Sequence, residues 1–262
     1  MRLGSGVFAC GYQISLAPRD ESRYTILSLG SVGQIRETSD IVSSKQNEPI
    51  ILYEFEGCPF CRKVREAVSM LSLEVTFRPC PQGGAFRKEI KNEYGAKATF
   101  PYLVDPNTGV KMFESDDIIA YLFRVYGNSK KNDKVPWTLS PPGSPLVTLS
   151  SGLAMLPRIN RGNRYRASNI PEQPLIFWSY EGSPFTKLVR ERLVELGLPH
   201  TQISCPRGSV NRQRLFQKTG CKFFQVPFLE DPNTGVELFE SAAIIEYLEK
   251  VYSVPEPRVK YI

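Results

Sequence analysis

The sequence predicts a tandem α/β protein in which one unit, ordered strand, helix, strand, helix, hairpin and last helix (βαβαββα), is built twice. An internal repeat predicts the tandem. EFEGCPFCRKVRE at 54–66 returns as SYEGSPFTKLVRE at 179–191, and FPYLVDPNTGVKMFES at 100–115 returns as VPFLEDPNTGVELFES at 226–241. The offset is 125 residues for the first pair and 126 for the second, which places a one-residue insertion near 222–224. Short apolar runs alternating with helical periodicity predict the α/β class. At 262 residues the chain is long enough for two compact domains, each burying most of its apolar surface.

The elements follow in chain order. YQISL at 12–16 and RYTILSL at 23–29 alternate around a Pro-Arg-Asp-Glu-Ser turn, so an N-terminal extension, 1–47, is expected to carry a small β-hairpin. Residues 1–10 hold no acidic residue, a trait shared with targeting segments. The first repeat domain, 48–127, opens with an apolar strand at 50–55. A helix follows, with Val64, Ala67, Val68 and Leu71 on one face. A second strand at 74–78, a polar helix at 86–94, and a hairpin about Pro-Asn-Thr-Gly at 106–109 come next. Ser115 is expected to cap a last helix bearing Ile118, Ile119 and Leu122. The second domain, 172–252, repeats the series: a strand at 175–178, a helix with Val189, Leu193 and Leu196, a strand at 201–204, a helix at 211–219, a hairpin about 232–235, and a helix capped by Ser241. A tail, 253–262, follows.

Between the domains, the connector 128–171 contains an uncharged stretch, 135–157, with five prolines. Its apolar run at 146–156 is too short to span a bilayer. Two readings remain open. The connector packs against both domains, or it makes a weak membrane-surface contact with Arg158, Arg161, Arg164 and Arg166 at the headgroups.

The net charge is +6, but basic and acidic residues are interspersed along both halves. No basic face interleaved with aromatics emerges, which argues against nucleic-acid binding. Six cysteines are too few for a disulfide-built scaffold of this length, so a reducing compartment is expected. The single histidine, His200, excludes a His-rich metal site or a Ser-His-Asp triad in both halves. It follows Leu198-Pro199 and reads as a surface or turn histidine rather than a catalytic base.

The chemistry concentrates at Cys58-Pro59-Phe60-Cys61. A cysteine at a helix start faces unpaired backbone N–H groups and the positive end of the helix dipole, and both favour the thiolate. In Cys-X-X-Cys motifs such effects bring the first thiol to a pKa of about 3.5–7.5. Cys58 is then the nucleophile, with Arg62 and Lys63 expected to add positive charge and Pro59 suited to the first helical position. Cys61, one turn on, is placed to attack a mixed disulfide on Cys58. Half of a zinc site, or a pair of buried apolar cysteines, are the competing readings; zinc lacks further ligands at suitable spacing, and no metal is expected. Cys80 and Cys205, each before a proline, are read as structural. In the second repeat Ser183 and Thr186 replace both thiols, and Ser183-Pro184 reads as an N-cap and first helical residue, or as a hydroxyl donor to a bound thiolate.

These residues carry a resemblance. Cys58-Pro59-Phe60-Cys61 opening a helix, Thr99-Phe100-Pro101 entering a strand, and Phe113-Glu114-Ser115 before the last helix resemble the thioredoxin-like domain of glutaredoxins and glutathione S-transferases. Ser183, Val226-Pro227 and Glu240-Ser241 match in the second repeat. The tandem resembles plant and algal plastid proteins with two such N-terminal-type transferase domains, which implies a chloroplast location. The resemblance further implies that Pro101 and Pro227 follow cis peptide bonds and that the backbones of Phe100 and Val226 pair with the cysteinyl part of glutathione. It implies that Glu114 or Glu240 takes the γ-glutamyl ammonium while Ser115 or Ser241 takes its carboxylate. An anion at a helix start is favoured on physical grounds too. Full transferases follow this domain with an all-helical domain that forms the electrophile pocket, whereas only the connector follows the first repeat here.

The function implied is a glutathione-linked thiol-disulfide oxidoreductase acting on a disulfide-bearing or glutathionylated protein, with a second domain that binds. The alternatives are a non-catalytic glutathione- or protein-binding scaffold in the plastid, or a transferase or isomerase resembling the membrane-associated prostaglandin E synthase.

Overall fold

The computed structural model describes residues 46–127, 135, 139, 161–221 and 224–254, together with the backbone of three strands before them. Those strands, β1 (Gln13–Ala17), β2 (Thr25–Ser28) and β3 (Gln34–Thr38), form an antiparallel sheet in the order β1-β3-β2. The expected hairpin is thereby corrected. The two alternating segments do not pair with each other but with β3, between them, whose polar QIRET sequence gave no strand signal. Residues 1–10 and the apolar run of the connector lie outside the described residues.

The first repeat contains β4 (Ile50–Glu54), α1 (Pro59–Met70), β5 (Glu74–Pro79), α2 (Ala85–Tyr94), β6 (Tyr102–Asp105), β7 (Val110–Met112) and α3 (Ser115–Tyr126). The second contains β8 (Leu175–Ser179), α4 (Pro184–Glu195), β9 (His200–Ser204), α5 (Val210–Thr219), β10 (Phe228–Asp231), β11 (Val236–Phe239) and α6 (Ser241–Tyr252). Each is the βαβαββα unit, and the two are thioredoxin-like domains.

The two units share one sheet. Its eight strands run β11-β10-β8-β9-β5-β4-β6-β7, with the seam an antiparallel pairing of β5 and β9. In that register Thr76 faces Thr201, its own counterpart in the repeat, and their hydroxyls lie 2.9 Å apart. Residues facing their own equivalents define a pseudo-twofold axis through this pair. Neither edge is left bare at the seam, where an unpaired strand would template aggregation.

Alternation along β4 sets the two faces of the sheet. Ile50 and Leu52 point to the α1/α3 side, where they pack with Val64, Val68, Leu122 and Phe123. Ile51 and Tyr53 point to the α2 side with Ile90 and Tyr102. Val135 and Leu139 of the connector join the first core. The described end of the connector runs between the repeats: Gln82 N donates to Asn163 O, Arg166 N to Glu195 O, and Arg166 makes a two-point ion pair with Glu249. That pair ties the connector to the last helix of the second domain. No helix among the described residues is long and apolar enough to cross a membrane.

Each hairpin is locked by an aspartate. Asp105 accepts from Asn107 N at 2.9 Å, Tyr121 Oη at 2.5 Å and Tyr126 Oη at 2.6 Å, and Asp231 repeats this with Asn233, Tyr247 and Tyr252. Burial alone would raise both carboxyls, but these hydrogen bonds prevail and hold them below the ordinary range.

His200 is fully buried at the seam, which overturns its reading as a surface or turn residue. It stacks on Phe77 at 5.4 Å and meets Phe177 edge-on, and its Nδ1 donates to Leu198 O at 3.0 Å. Burial drives its pKa down to about 3, so the ring is neutral and serves as packing. The preceding Leu-Pro looked like a turn because the strand pairing that buries it comes from the other repeat.

Candidate functional site

The N-terminus of α1 presents Cys58 as its cap. The residue is extended (φ −92°, ψ 115°), and Sγ accepts from Cys61 N at 3.2 Å, which ties off one of the helix's orphan N–H groups. Pro59 at the first helical position has no N–H to leave unpaired. Gly57 before it gives room to the returning connector: a Cβ there would fall 1.7 Å from Asn163 Oδ1, and that side chain would have to move. Phe60 is half-exposed beside the sulfur.

Cys58 Sγ also lies 3.6 Å from Phe100 O, and the Phe100–Pro101 peptide bond is cis. The same turn thus brings the backbone of a strand entry against the sulfur. Val226–Pro227 is cis at the matching place.

The two thiols are pushed apart in acidity. The hydrogen bond from the Cys61 side chain lowers the Cys58 pKa most, joined by N–H groups of the first turn and opposed by burial and by the Glu54 carboxyl. Cys61 moves the other way, well above an ordinary thiol, through burial and through donating to Cys58. Of the two, Cys58 is therefore the more readily ionised. Arg62 and Lys63 are not the cause, contrary to expectation. Arg62 turns to Glu181, 3.8 Å away, and Lys63 pairs with Asp116 at 2.7 Å. Helix geometry points them away from Sγ, which spacing along the chain does not reveal. Burial raises the Cys80 thiol strongly and Cys205 to about 12, so both are inert packing in the folded protein.

Glu114 and Ser115 stand at the start of α3 with a geometry the sequence reading placed one residue late. The capping position belongs to Glu114, at a left-handed φ of 69°, and Ser115 is the buried first helical residue; Glu240 (φ 68°) and Ser241 do the same. Positive φ at a glutamate costs about 1–3 kcal/mol, and both repeats keep it. It sets a carboxylate beside a helix N-terminus. In the second repeat the Glu240 carboxylate accepts from Gln225 Nε2, whereas among the described residues Glu114 is hydrogen-bonded through its backbone carbonyl, to Ile118 N, and not through its carboxylate.

Sequence reasoning missed Arg87. It donates to Cys80 O at 2.8 Å, and its guanidinium sits 4.8 Å from the ring centres of both Phe55 and Phe100. A fixed cation is thereby held next to the cis turn. Arg212 is its counterpart against Tyr180 and Phe224. Recurrence of an arginine on two otherwise polar helices was the available signal.

In the second repeat Ser183 caps α4 as Cys58 caps α1, its Oγ accepting from Thr186 N at 3.3 Å. Thr186 Oγ1 is buried without a partner. The capping reading of Ser183 therefore describes the structure, and no dithiol can form there.

A buried cluster of charges joins the two repeats. Arg65 meets Glu54, Glu56 at 3.1 Å and Glu181 at 3.1 Å, while its counterpart Arg190 meets Glu181 and Gln202. All these side chains are essentially inaccessible. Glu181 from the second repeat thus binds arginines of both. Among the described residues no group of His, Cys, Asp and Glu side chains could hold a metal ion.

A family model described as glutathione S-transferase, N-terminal domain, matches residues 52–130 and again 177–257. Among curated proteins, the chain is 37% identical over 82 residues to a glutathione S-transferase-like protein, OpS6, of Beauveria bassiana, covering 30% of this chain and 36% of that one. It is 34% identical over 91 residues to the glutathione S-transferase-like protein tpcF of Aspergillus fumigatus, covering 34% of this chain and 38% of that one. The chain therefore spans little more than a third of the length of these relatives. No solved structure matches it.

Proposed function

The chain belongs to the family of glutathione S-transferase N-terminal domains, which it carries twice, and from that premise we propose that its first domain is a glutathione-linked thiol-disulfide oxidoreductase. One observation carries the reading. Cys58 sits at a helix N-terminus with its thiol acidified by Cys61, 3.6 Å from the carbonyl of the residue before a cis-proline.

Glutathione is the ligand this geometry favours. The Phe100 backbone offers N–H and C=O groups to its cysteinyl peptide, Glu114 offers a carboxylate to its ammonium, and the start of α3 at Ser115 offers N–H groups to its carboxylate. Arg87 offers a cation to the remaining carboxylate. The Cys58 thiolate attacks the glutathione sulfur of a glutathionylated substrate, forming Cys58–S–S–glutathione and expelling the substrate thiolate, which takes a proton from solvent. A second glutathione, or Cys61, then attacks that bond and regenerates or oxidises Cys58. The substrate leaves reduced, its two electrons supplied by the two glutathiones in the first route and by the Cys58–Cys61 dithiol in the second. Half-exposed Phe60 gives the approaching protein an apolar contact.

The second domain, with Ser183, Val226, Pro227, Glu240 and Ser241 in the matching places, is a binding copy without redox chemistry. A scaffold that binds glutathione or a partner is the second reading, favoured by the loss of both thiols at Ser183 and Thr186. Residence in a reducing compartment, by resemblance the plastid, belongs to this proposal.

The test is glutathione-dependent reduction of a glutathionylated peptide by wild type, Cys58→Ser and Cys61→Ser. Loss in the first variant and partial retention in the second are expected. Full activity without Cys58 overturns the reading, and inactivity of all three with glutathione still bound favours the scaffold.

A further inference from the structure

The connector runs along the rim of the first site as it enters the second repeat, and from this we propose that its Arg161 and Arg164 receive an acidic stretch of the protein substrate next to the glutathionylated cysteine. The proposal rests on the oxidoreductase reading and deepens it, by naming the chemistry of the chain that carries the bond exchanged at Cys58.

The connector arrives as an extended segment pinned from both repeats. Gln82 N donates to Asn163 O at 2.7 Å and Tyr165 N to Gln82 O at 2.9 Å, so 163–165 lies parallel to the loop that precedes α2. Gly162 N donates to Glu195 Oε1 at 3.0 Å, and Arg166 N to Glu195 O at 2.8 Å. Gly162, at φ 69°, sits so close over the turn before α1 that a Cβ on it would fall 2.6 Å from Glu56 Cβ, and Asn163 lies against Gly57. Residues 162 and 163 thus cover the two residues that precede Cys58. The arginines at 161 and 164 bracket them, on a backbone that is held in place.

Those arginines are the free charges of this rim. Tyr165 lies against Gly83 and Gly197, while Arg161 and Arg164 are exposed and, among the described residues, neither has an ion-pair partner. The neighbouring carboxylates are engaged, Glu56 by Arg65 and Glu195 by Gly162 N and Arg192. The start of α2 adds to the same potential. Its cap, Gly84, offers no side chain to the first-turn N–H groups, and Arg87 and exposed Lys88 stand in that turn. Arg87 is fixed by Cys80 O and by the rings of Phe55 and Phe100, beside the place given to glutathione. The connector arginines are left for a second anion.

Neither device recurs in the second repeat. Ser209 stands where the first has Gly84, and its Oγ caps α5 by accepting from Asn211 N at 3.2 Å. Among the described residues, a Cβ at Gly182, the counterpart of Gly57, would meet only the ring of Tyr180. The basic rim therefore accompanies the unit that keeps its thiols.

A glutathionylated cysteine reaches Cys58 only with its own chain lying across this rim, within reach of long side chains. Glutamate or aspartate flanking that cysteine is drawn to Arg161 and Arg164, which speeds encounter and favours one register over another. The attraction is between exposed charges, so salt screens it.

The experiment compares two glutathionylated peptides of one length, with Glu or with Gln flanking the cysteine, as substrates of the full chain at about 20 mM and about 500 mM salt. The Glu peptide is expected to have a kcat/KM about 10-fold higher at low salt, and the ratio to shrink at high salt. Arg161→Gln/Arg164→Gln is expected to lower that ratio about fivefold, Arg161→Lys/Arg164→Lys to keep it, and Arg161→Glu/Arg164→Glu to invert it. Binding is read apart from turnover, by fluorescence anisotropy of the same two sequences with serine in place of the cysteine. The Glu peptide is expected to bind more tightly, and Arg161→Gln/Arg164→Gln to lose the difference. Equal affinities for the two peptides, or a difference that survives Arg161→Gln/Arg164→Gln, overturn the proposal, as does binding to phosphatidylserine vesicles with no preference between the peptides. Absence of turnover with both peptides overturns the oxidoreductase reading, and the anisotropy then still decides whether these arginines select an acidic chain.

Discussion

Replacing Glu181 with glutamine should cost the whole fold, not only the second domain. One carboxylate from the second repeat there binds Arg65 of the first and Arg190 of its own, with Arg62 at 3.8 Å. Burial disfavours its charge, yet the three arginines prevail and carry its pKa from the ordinary 4.5 to about 2. At about 1.4 kcal/mol per pH decade, that displacement corresponds to about 3 kcal/mol of stability. Breaking a buried ion pair costs about 3–5 kcal/mol, so the two routes agree. The lower end applies because Arg65 keeps Glu54 and Glu56, and Arg190 keeps Gln202.

The sign follows from the direction of the displacement. A carboxyl held below its unfolded pKa contributes stability that is complete above pH 4.5 and is lost as pH falls toward about 2. Wild type and Glu181→Gln should therefore differ by about 3 kcal/mol at pH 7, equivalent to about 6–12 °C in melting temperature, and converge at the acid end. Urea unfolding at a series of pH values, followed by circular dichroism and tryptophan fluorescence, reads the difference directly. A gap that stays constant from pH 7 to pH 2, or a variant as stable as wild type at pH 7, would refute the reasoning.

Three further outcomes are expected. Thr76→Val should lower stability by about 1 kcal/mol by removing one partner of the Thr76–Thr201 hydrogen bond, while the double valine variant should lose less than twice that in urea titrations. Ser183→Cys should yield a thiol that titrates below the ordinary range by ultraviolet absorbance, since its Oγ already accepts from the helix N–H of Thr186, but by less than Cys58, for want of the Cys61 donor. Asp105→Ala should destabilise by about 3 kcal/mol, because it leaves two buried tyrosine hydroxyls without their charged acceptor, and Asp231→Ala should cost less in the other hairpin, where Tyr247 is only half-buried.

The repeat and the periodicities made most of the architecture legible. Val64, Ala67, Val68 and Leu71 do face the core, and both Pro-Asn-Thr-Gly turns join antiparallel strands. Local signals failed where tertiary pairing decides the outcome. His200 reads as a turn residue until β5 covers it. Arg65 and Arg190 carry no local sign of burial, because burying a guanidinium requires carboxylates that arrive from another strand and another repeat. Their identity across the duplication, where neighbouring Lys63 and Ala67 change to Leu188 and Arg192, was the usable hint. The place of Cys58 at a helix start was legible because helix-start chemistry is local. What acidifies Cys58 was not, since Arg62 and Lys63 are adjacent in sequence and committed elsewhere in space.

The seam between β5 and β9 bears on how such a chain can evolve. Removing the second unit would strip a paired strand from the first and leave Arg65 short of Glu181, whereas removing its thiols leaves strand, carboxylate and helix cap in place. After duplication, then, the second copy is free to drift in chemistry but not in shape. It can be silenced, yet it cannot be deleted, because the domain that keeps its cysteines stands on it as half of a common foundation.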